Sequence, residues 1–199
     1  MPSRTVRPIA GFVYHVTTRC HPGVTLFDSP TAYRAFVNLI AEAQTVRPMR
    51  LLAYCVMPNH AHFVLWPESD DAVERFMGWV SMTHAKRYHQ WNGTSGPVYP
   101  KRYEAVSVQT GLGLYRVIRY VERNPCAARL ASRPDAWPWS SASSDSPIRV
   151  AEWPVPRPPD WRTYVATAIE SAELEEIRRH LKTMPLRRLR RRKNDDFDW

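Results

Sequence analysis

Two histidines flank one small apolar residue at His60-Ala61-His62, directly after Met57-Pro58-Asn59. The run continues as Phe63-Val64-Leu65-Trp66, which is rich in strand formers. On a strand, residues i and i+2 share a face, so both imidazoles project together while Ala61 turns the other way. Two neutral imidazoles held side by side make half a site for a divalent metal. A second cluster lies in the segment 113–125, Gly-Leu-Tyr-Arg-Val-Ile-Arg-Tyr-Val-Glu-Arg-Asn-Pro. Leu114, Val117, Ile118 and Val121 follow the spacing of an amphipathic helix. Asn124 before Pro125 reads as the helix end, because the residue before a proline is pushed away from helical geometry. At about 100° per residue, Tyr120 and Asn124 are neighbours one turn apart, on the flank of the apolar stripe. Tyr115 falls on a different face. Arg116, Arg119 and Arg123 form a basic strip beside Tyr120. The helix thus offers a phenol, an amide oxygen and several guanidinium groups. Each half alone also has a plain reading: two polar residues on a strand, and a packed tyrosine with a capping asparagine.

The elements that must position these groups follow from hydrophobic period and turn residues. Alternation predicts strands over 12–19, 49–57, 60–66 and 103–108, with the Pro58-Asn59 turn joining the second to the third. Ser29 or Asp28 can cap a helix over 30–45 that turns Tyr33, Phe36, Val37 and Ile40 inward. Asp70 or Asp71 can start a second helix reaching about Gln90, with Phe76, Val80 and His84 on one face. The tyrosine helix comes last. The order βαββαβα implies an α+β chain of the ferredoxin-like (RRM-like) plan, an antiparallel sheet with helices on one face. The segment 134–159 is rich in proline and serine and reads as a connection hugging the surface. Within it, Trp137-Pro138-Trp139-Ser140-Ser141 reads as an aromatic anchor against the body. One terminal helix or a pair is expected over 161–183, with Leu174, Ile177 and Leu181 at helical spacing. The division is therefore a principal domain over 1–145 and an extension over 146–199. His15 and His84 read as structural.

Composition narrows the partners. A chain of 199 residues with 44% apolar content can bury one good core. A net charge of +9 points to a polyanion, nucleic acid before membrane. Cys20, Cys55 and Cys126 are widely spaced and form neither a zinc pair nor a disulfide framework; buried thiols in a reducing compartment are expected. No signal-like or membrane-spanning apolar run is evident, so a cytoplasmic, nucleoid-associated protein is expected. Arg187, Arg188, Arg190, Arg191, Arg192 and Lys193 crowd the C-terminus. Such a block is either a solvated tail or a salt-sensitive grip on phosphates.

Taken together, MPNHAHFVLWPE, then RYVERNPCAARL, then DAWPWSS resemble the REP-associated tyrosine transposases. These are single-tyrosine HUH transposases, named for His-hydrophobic-His. YHVTTRC with LFD fits the family's first strand and following loop, and PVYPKRYEAVSV fits the strand before the tyrosine helix. The likeness spans roughly residues 10–145. It implies that the tyrosine helix packs beside the histidine strand. It implies that His60, His62 and the side-chain oxygen of Asn124 bind Mg²⁺ or Mn²⁺, with histidine donors making Mn²⁺ the more comfortable ion. It implies that Tyr120 attacks a phosphate of single-stranded DNA and forms a 5′-phosphotyrosine. A phenol with a pKa near 10 in water needs activation, which the ion and Arg116 or Arg119 could assist. No general base stands out. The implied substrate is a palindromic hairpin of the REP kind. Lys and Arg, Arg123 among them, would hold its phosphates, and aromatics such as Trp91 or Tyr99 would stack on unpaired bases.

Two other readings compete with this metal-dependent endonuclease and strand transferase. One is a non-catalytic protein that binds hairpin nucleic acid on the same fold. The other is an RNA-processing enzyme that uses histidine as acid and base without metal, and so depends on the ribose 2′-hydroxyl. The joint presence of His60, His62, Tyr120 and Asn124 favours the transposase. Monomer and homodimer both stay open.

Overall fold

The structure, a computed structural model, describes residues 8–21 and 24–183. The sequence Val13–Arg19 forms strand β1, Arg50–Met57 β2, His60–Trp66 β3 and Glu104–Val108 β4. The first three long helices are α1 (Pro30–Val46), α2 (Ala72–Asn92) and α3 (Leu112–Ala127). The strands make one sheet in the order β2-β3-β1-β4, and every neighbouring pair is antiparallel. This is the expected ferredoxin-like order. Two short helices follow, α4 (Trp161–Ala166) and α5 (Ser171–Thr183), so the expected terminal helices are a pair. Among the described residues, no helix is long and apolar enough to cross a membrane.

Local chemistry explains the boundaries. Ser29 caps α1 by accepting a hydrogen bond from the amide of Ala32 at 3.3 Å, and Pro30 occupies the first turn, where its missing N–H costs nothing. Met57 pairs with His60, so Pro58 and Asn59 alone turn the hairpin. The carbonyl of Pro58 then accepts from Leu26 and Phe27, and that of Asn59 from Cys20. These bonds tie the loop after β1 to the tip that carries the histidines. Helix α2 ends at Gly93, whose φ of 63° is a left-handed cap that glycine adopts without strain.

The sheet has helices on both faces, not on one as the element order suggested. Tyr14, Val16, Phe63 and Leu65 pack under α1 and α2 with Phe36, Ile40, Phe76 and Val80. On the opposite face, Val13, Leu52, Cys55 and Val64 meet Leu114, Val117, Ile118 and Val121 of α3. Full burial of each such side chain stabilises the fold by roughly 1.5–3 kcal/mol. The apolar stripe of α3 thus lies on the face that carries His60 and His62, because Val64 is their neighbour in the i, i+2 series.

Helix α3 does not stop at Asn124. It runs through Pro125 to Ala127. A proline has no N–H to give the carbonyl one turn back, at Val121; here it sits in the last turn, and only two residues of helix follow it. The end is closed by Ala128 donating to the carbonyl of Asn124 and Leu130 to that of Pro125, with Arg129 at a φ of 58°.

Beyond α3 the chain returns along the outer edge of β2. The amide of Val56 donates to the carbonyl of Trp139 at 2.8 Å, and that of Ser141 to the carbonyl of Tyr54 at 2.9 Å. The indole of Trp137 donates to the carbonyl of Val56, and Tyr33 stacks on Trp139. The aromatic anchor is therefore also an edge pairing, which gives the exposed backbone of β2 its partners. Trp153, Trp161 and Val165 continue onto the α3 side of the sheet, so part of the extension over 146–199 contributes to the second core.

His84 is buried between Phe27 and Phe36, and its Nδ1 lies 2.6 Å from the hydroxyl of Tyr99. Tyr99 thus belongs to this inner pairing, whereas Trp91 is open to solvent. Burial pushes the His84 imidazole down from 6.5 to about 4. The unfolded chain takes up this proton below 6.5, and the folded chain only near 4. His84 therefore contributes its full share of stability above pH 6.5 and loses it as pH falls through the window, on the order of 3 kcal/mol in all. Urea unfolding at stepped pH should show stability falling with acidification, and a smaller fall in His84→Phe. An identical slope in the two proteins would remove His84 from the account.

Candidate functional site

His60 and His62 open β3, and their rings stand 4.8 Å apart between centroids, edge to face. The tyrosine helix brings Tyr120 over His62, with ring centroids 5.9 Å apart. Three of the expected site residues, from two distant segments, thus meet at one end of the sheet's second face. Asn124 follows one turn after Tyr120, and its Nδ2 donates to the carbonyl of Tyr120 at 2.9 Å. An amide that donates through its nitrogen keeps its oxygen as the acceptor available to an ion. Tyr120 and Asn124 are half-buried, so the site is open to a ligand.

The electrostatics keep these imidazoles neutral. Burial, assisted by the facing Arg19, lowers His60 to about 4. Burial, then His15, His60 and Arg19, holds His62 well below the ordinary histidine value. A neutral imidazole has one lone pair to offer a metal. The Nδ1 of His60 lies 2.6 Å from Oδ1 of Asn59 and can only donate to it. Its proton is therefore on Nδ1, which leaves Nε2 as the nitrogen with a lone pair to offer. Among the described residues, no three His, Cys, Asp or Glu side chains are grouped to hold a metal. A third donor would have to come from another residue type, the amide oxygen of Asn124 being the one the sequence offers; such N and O donors would suit Mn²⁺ or Mg²⁺.

Sequence reasoning placed His15 in the structural background, yet the fold puts it in the site. His15, Thr17 and Arg19 occupy alternate positions of β1 and share one face. Thr17 pairs with His62 and Arg19 with His60. Nε2 of His15 is 2.9 Å from Nδ1 of His62, and the two rings meet edge to edge, 22° from coplanar, with centroids 5.1 Å apart. The ring of Tyr120 meets His15 edge-on at 6.3 Å. Burial and the neighbouring His60 lower His15 to about 4. The signal was present as the i, i+2, i+4 series His-x-Thr-x-Arg, but only the pairing register shows that it faces β3.

The arginines of α3 are occupied within the chain. Arg119 is 5% exposed and donates to the carbonyls of Thr167 and Ala168, both at 3.0 Å. It also faces Glu173 at 3.5 Å and lies 4.2 Å over the ring of Tyr164. Arg123 donates to the carbonyls of Val165 and Ala166 at 2.7 Å. Arg116 pairs with Glu173 and Glu176. The basic strip expected beside Tyr120 thus grips α4, α5 and the turn between them, and is not an open phosphate surface. The reason is the helix spacing itself: Arg116, Arg119 and Arg123 lie away from the sheet, where the returning chain lands. Arg19, exposed opposite His60, is the cation at the rim of the site. Tyr115 is directed elsewhere, donating to the carbonyl of Pro156 at 2.6 Å. Arg187, Arg188, Arg190, Arg191, Arg192 and Lys193 lie outside the described residues.

One further buried group braces this arrangement. Glu122 is 2% exposed on α3 and accepts from Ser141 Oγ at 2.8 Å and from the indole of Trp161 at 3.1 Å. Burial raises its pKa despite these two donors. It joins α3, the returning edge segment and α4 at one point.

No curated protein matches the chain at a significant level. A solved structure of a REP-associated tyrosine transposase bound to a REP hairpin is similar, with a TM-score of 0.58 and 19% identity. The likeness covers 86% of this chain and 100% of that one, and at this identity it establishes the shared fold. The sequence profile of the family described as "Transposase IS200 like" matches residues 9–124, from the start of β1's approach to the asparagine that follows Tyr120. With two histidines on one strand, a tyrosine helix above them and this match over more than half its length, the chain belongs to the IS200-like transposase family.

Proposed function

We propose that the protein cleaves and rejoins single-stranded DNA at palindromic hairpins of the REP kind, with Tyr120 as nucleophile and a divalent cation held by His60, His62 and Asn124. The observation that carries this reading is the meeting of Tyr120 with the His62 imidazole, ring centroids 5.9 Å apart, where His62 in turn stands 4.8 Å from His60. A non-catalytic hairpin binder needs no such convergence of a phenol on metal-type donors.

The phenolic oxygen of Tyr120 attacks the phosphorus of the scissile phosphodiester. The bond to the 3′-oxygen breaks, that oxygen takes a proton, and the 5′ side stays on the enzyme as a phosphotyrosine. Mg²⁺ or Mn²⁺, when bound, supplies charge neutralisation and orientation of the phosphate. Arg19 provides a second positive charge at the rim and steers the backbone. The covalent link conserves the phosphodiester, so a free 3′-hydroxyl reverses the reaction and joins a new strand without an external energy source. The hairpin partner is inferred from the relative solved with a REP hairpin, together with the net charge of +9.

Incubation with Mn²⁺ and a hairpin-flanked single strand, followed by a denaturing gel, tests the reading. A slow covalent protein–DNA band that disappears with EDTA is expected. Tight binding with neither adduct nor cleavage, across hairpins and across both metals, would establish the binding-only alternative instead.

A further inference from the structure

The cation reading leaves open what orients His62. We infer that His15 is a positioning residue: it accepts the Nδ1 proton of His62, which fixes the His62 tautomer and leaves Nε2 as the nitrogen facing a ligand. This rests on the reading of His60 and His62 as cation donors.

The geometry carries the argument. Nε2 of His15 and Nδ1 of His62 are 2.9 Å apart, a hydrogen-bond distance at which one nitrogen must donate and the other accept. Both side chains are 6% exposed, so water does not substitute for either partner. The nearly coplanar rings sit on paired strands, diagonal to one another, because Thr17 rather than His15 is directly opposite His62. Backbone register therefore fixes their separation before any ligand arrives. His60 gives the internal comparison. Its Nδ1 is held by the Asn59 oxygen, which can only accept, so its Nε2 is the ligating nitrogen. If His62 is to match it, the His62 proton must also lie on Nδ1, and the acceptor for that proton is Nε2 of His15. The hydroxyl of Thr17, at 3.3 Å from the same nitrogen, is the second and longer neighbour. Outer partners of this kind hold a ligating imidazole in one tautomer and orientation, and their loss typically weakens metal binding about 10–100-fold.

The test uses the full chain with ¹⁵N-labelled histidine and Mn²⁺ alone as the probe. Long-range ¹H–¹⁵N spectra of the metal-free protein report the tautomers, and titration followed by electron paramagnetic resonance reports Mn²⁺ affinity. The wild type should carry the His62 proton on Nδ1. His15→Phe keeps the ring shape but has no acceptor; it should release that tautomer and weaken Mn²⁺ binding about 10–100-fold. His15→Gln, with a carbonyl acceptor, should recover most of the affinity. Thr17→Val should change it by less than about threefold, as befits the longer contact. A His62 proton on Nε2 in the wild type overturns the inference, and so does an unchanged affinity in His15→Phe. If His15→Phe fails to fold, the wild-type tautomer and the Gln variant decide. If the wild type binds no Mn²⁺, the cation reading fails, while the wild-type tautomer still decides the role of His15.

Discussion

Tyr120→Phe is expected to form no covalent adduct and to cleave at least about 10⁴-fold more slowly, while binding the hairpin within about twofold of the wild type. The change removes a single oxygen. The ring that meets His15 and His62 edge-on is kept, so the local packing and the fold should survive. Tyr115→Phe is the control. Its hydroxyl donates to the carbonyl of Pro156, and its ring lies against Trp153 and Trp161, on a different face of α3. Cleavage by that variant should be unchanged. Gel assays of both proteins under single-turnover conditions decide the point. Persistent cleavage in Tyr120→Phe would remove the assigned nucleophile, and loss of cleavage in Tyr115→Phe with the fold intact would name another.

Arg119→Ala should destabilise the protein by about 2–4 kcal/mol, the cost of leaving two carbonyls and a carboxylate without their charged, largely buried donor. Both carbonyls lie in the turn between α4 and α5, and Tyr164 under the guanidinium belongs to α4. The variant should therefore loosen the C-terminal helices from the tyrosine helix. Arg119→Lys should recover little, since an ammonium cannot span two carbonyls and stack on a ring as the planar guanidinium does. Salt dependence of hairpin binding separates this role from a phosphate contact. A lost phosphate contact lowers the slope of log affinity against log salt by roughly 0.7–0.9. Arg119→Ala should leave the slope unchanged, whereas Arg19→Ala, at the rim, should lower it. A reduced slope with undiminished stability in Arg119→Ala would restore that residue to the DNA surface.

The sheet and its flanking helices were legible in the sequence because their signals are local. Alternation marked the strands to within a residue or two, and Ser29-Pro30 marked the start of α1. The convergence of Tyr120 on the strand of His60 and His62 was expected for the same reason, since the two histidines, and likewise Tyr120 and Asn124, sit at the spacing of their own element. What escaped depended on partners far along the chain. Arg119 finds its acceptors 48 and 49 residues later, and no helical wheel reveals that the polar side of α3 will be covered. His15 needed the register of β1 against β3, since a lone histidine in an apolar strand carries no mark of the neighbour it will face. Pro125 misled because the rule for the residue before a proline is a bias and not a bar: α3 gives up the bond to the Val121 carbonyl and still continues for two residues.

The return of the chain along β2 also bears on where this protein can be divided. The family match stops at Asn124, which invites a minimal fragment ending soon after it. Such a fragment would keep every residue assigned here to the chemistry. It would also strip the edge of β2 of the partners that Trp139 and Ser141 give to Val56 and Tyr54, and leave Glu122 without both of its donors. The freed edge is a template for other chains, and the bared side of α3 is a sticky surface. The part of the chain that carries the family likeness is therefore shorter than the part that must travel with it, and a graft or truncation of this protein should be cut by its contacts, not by its motif.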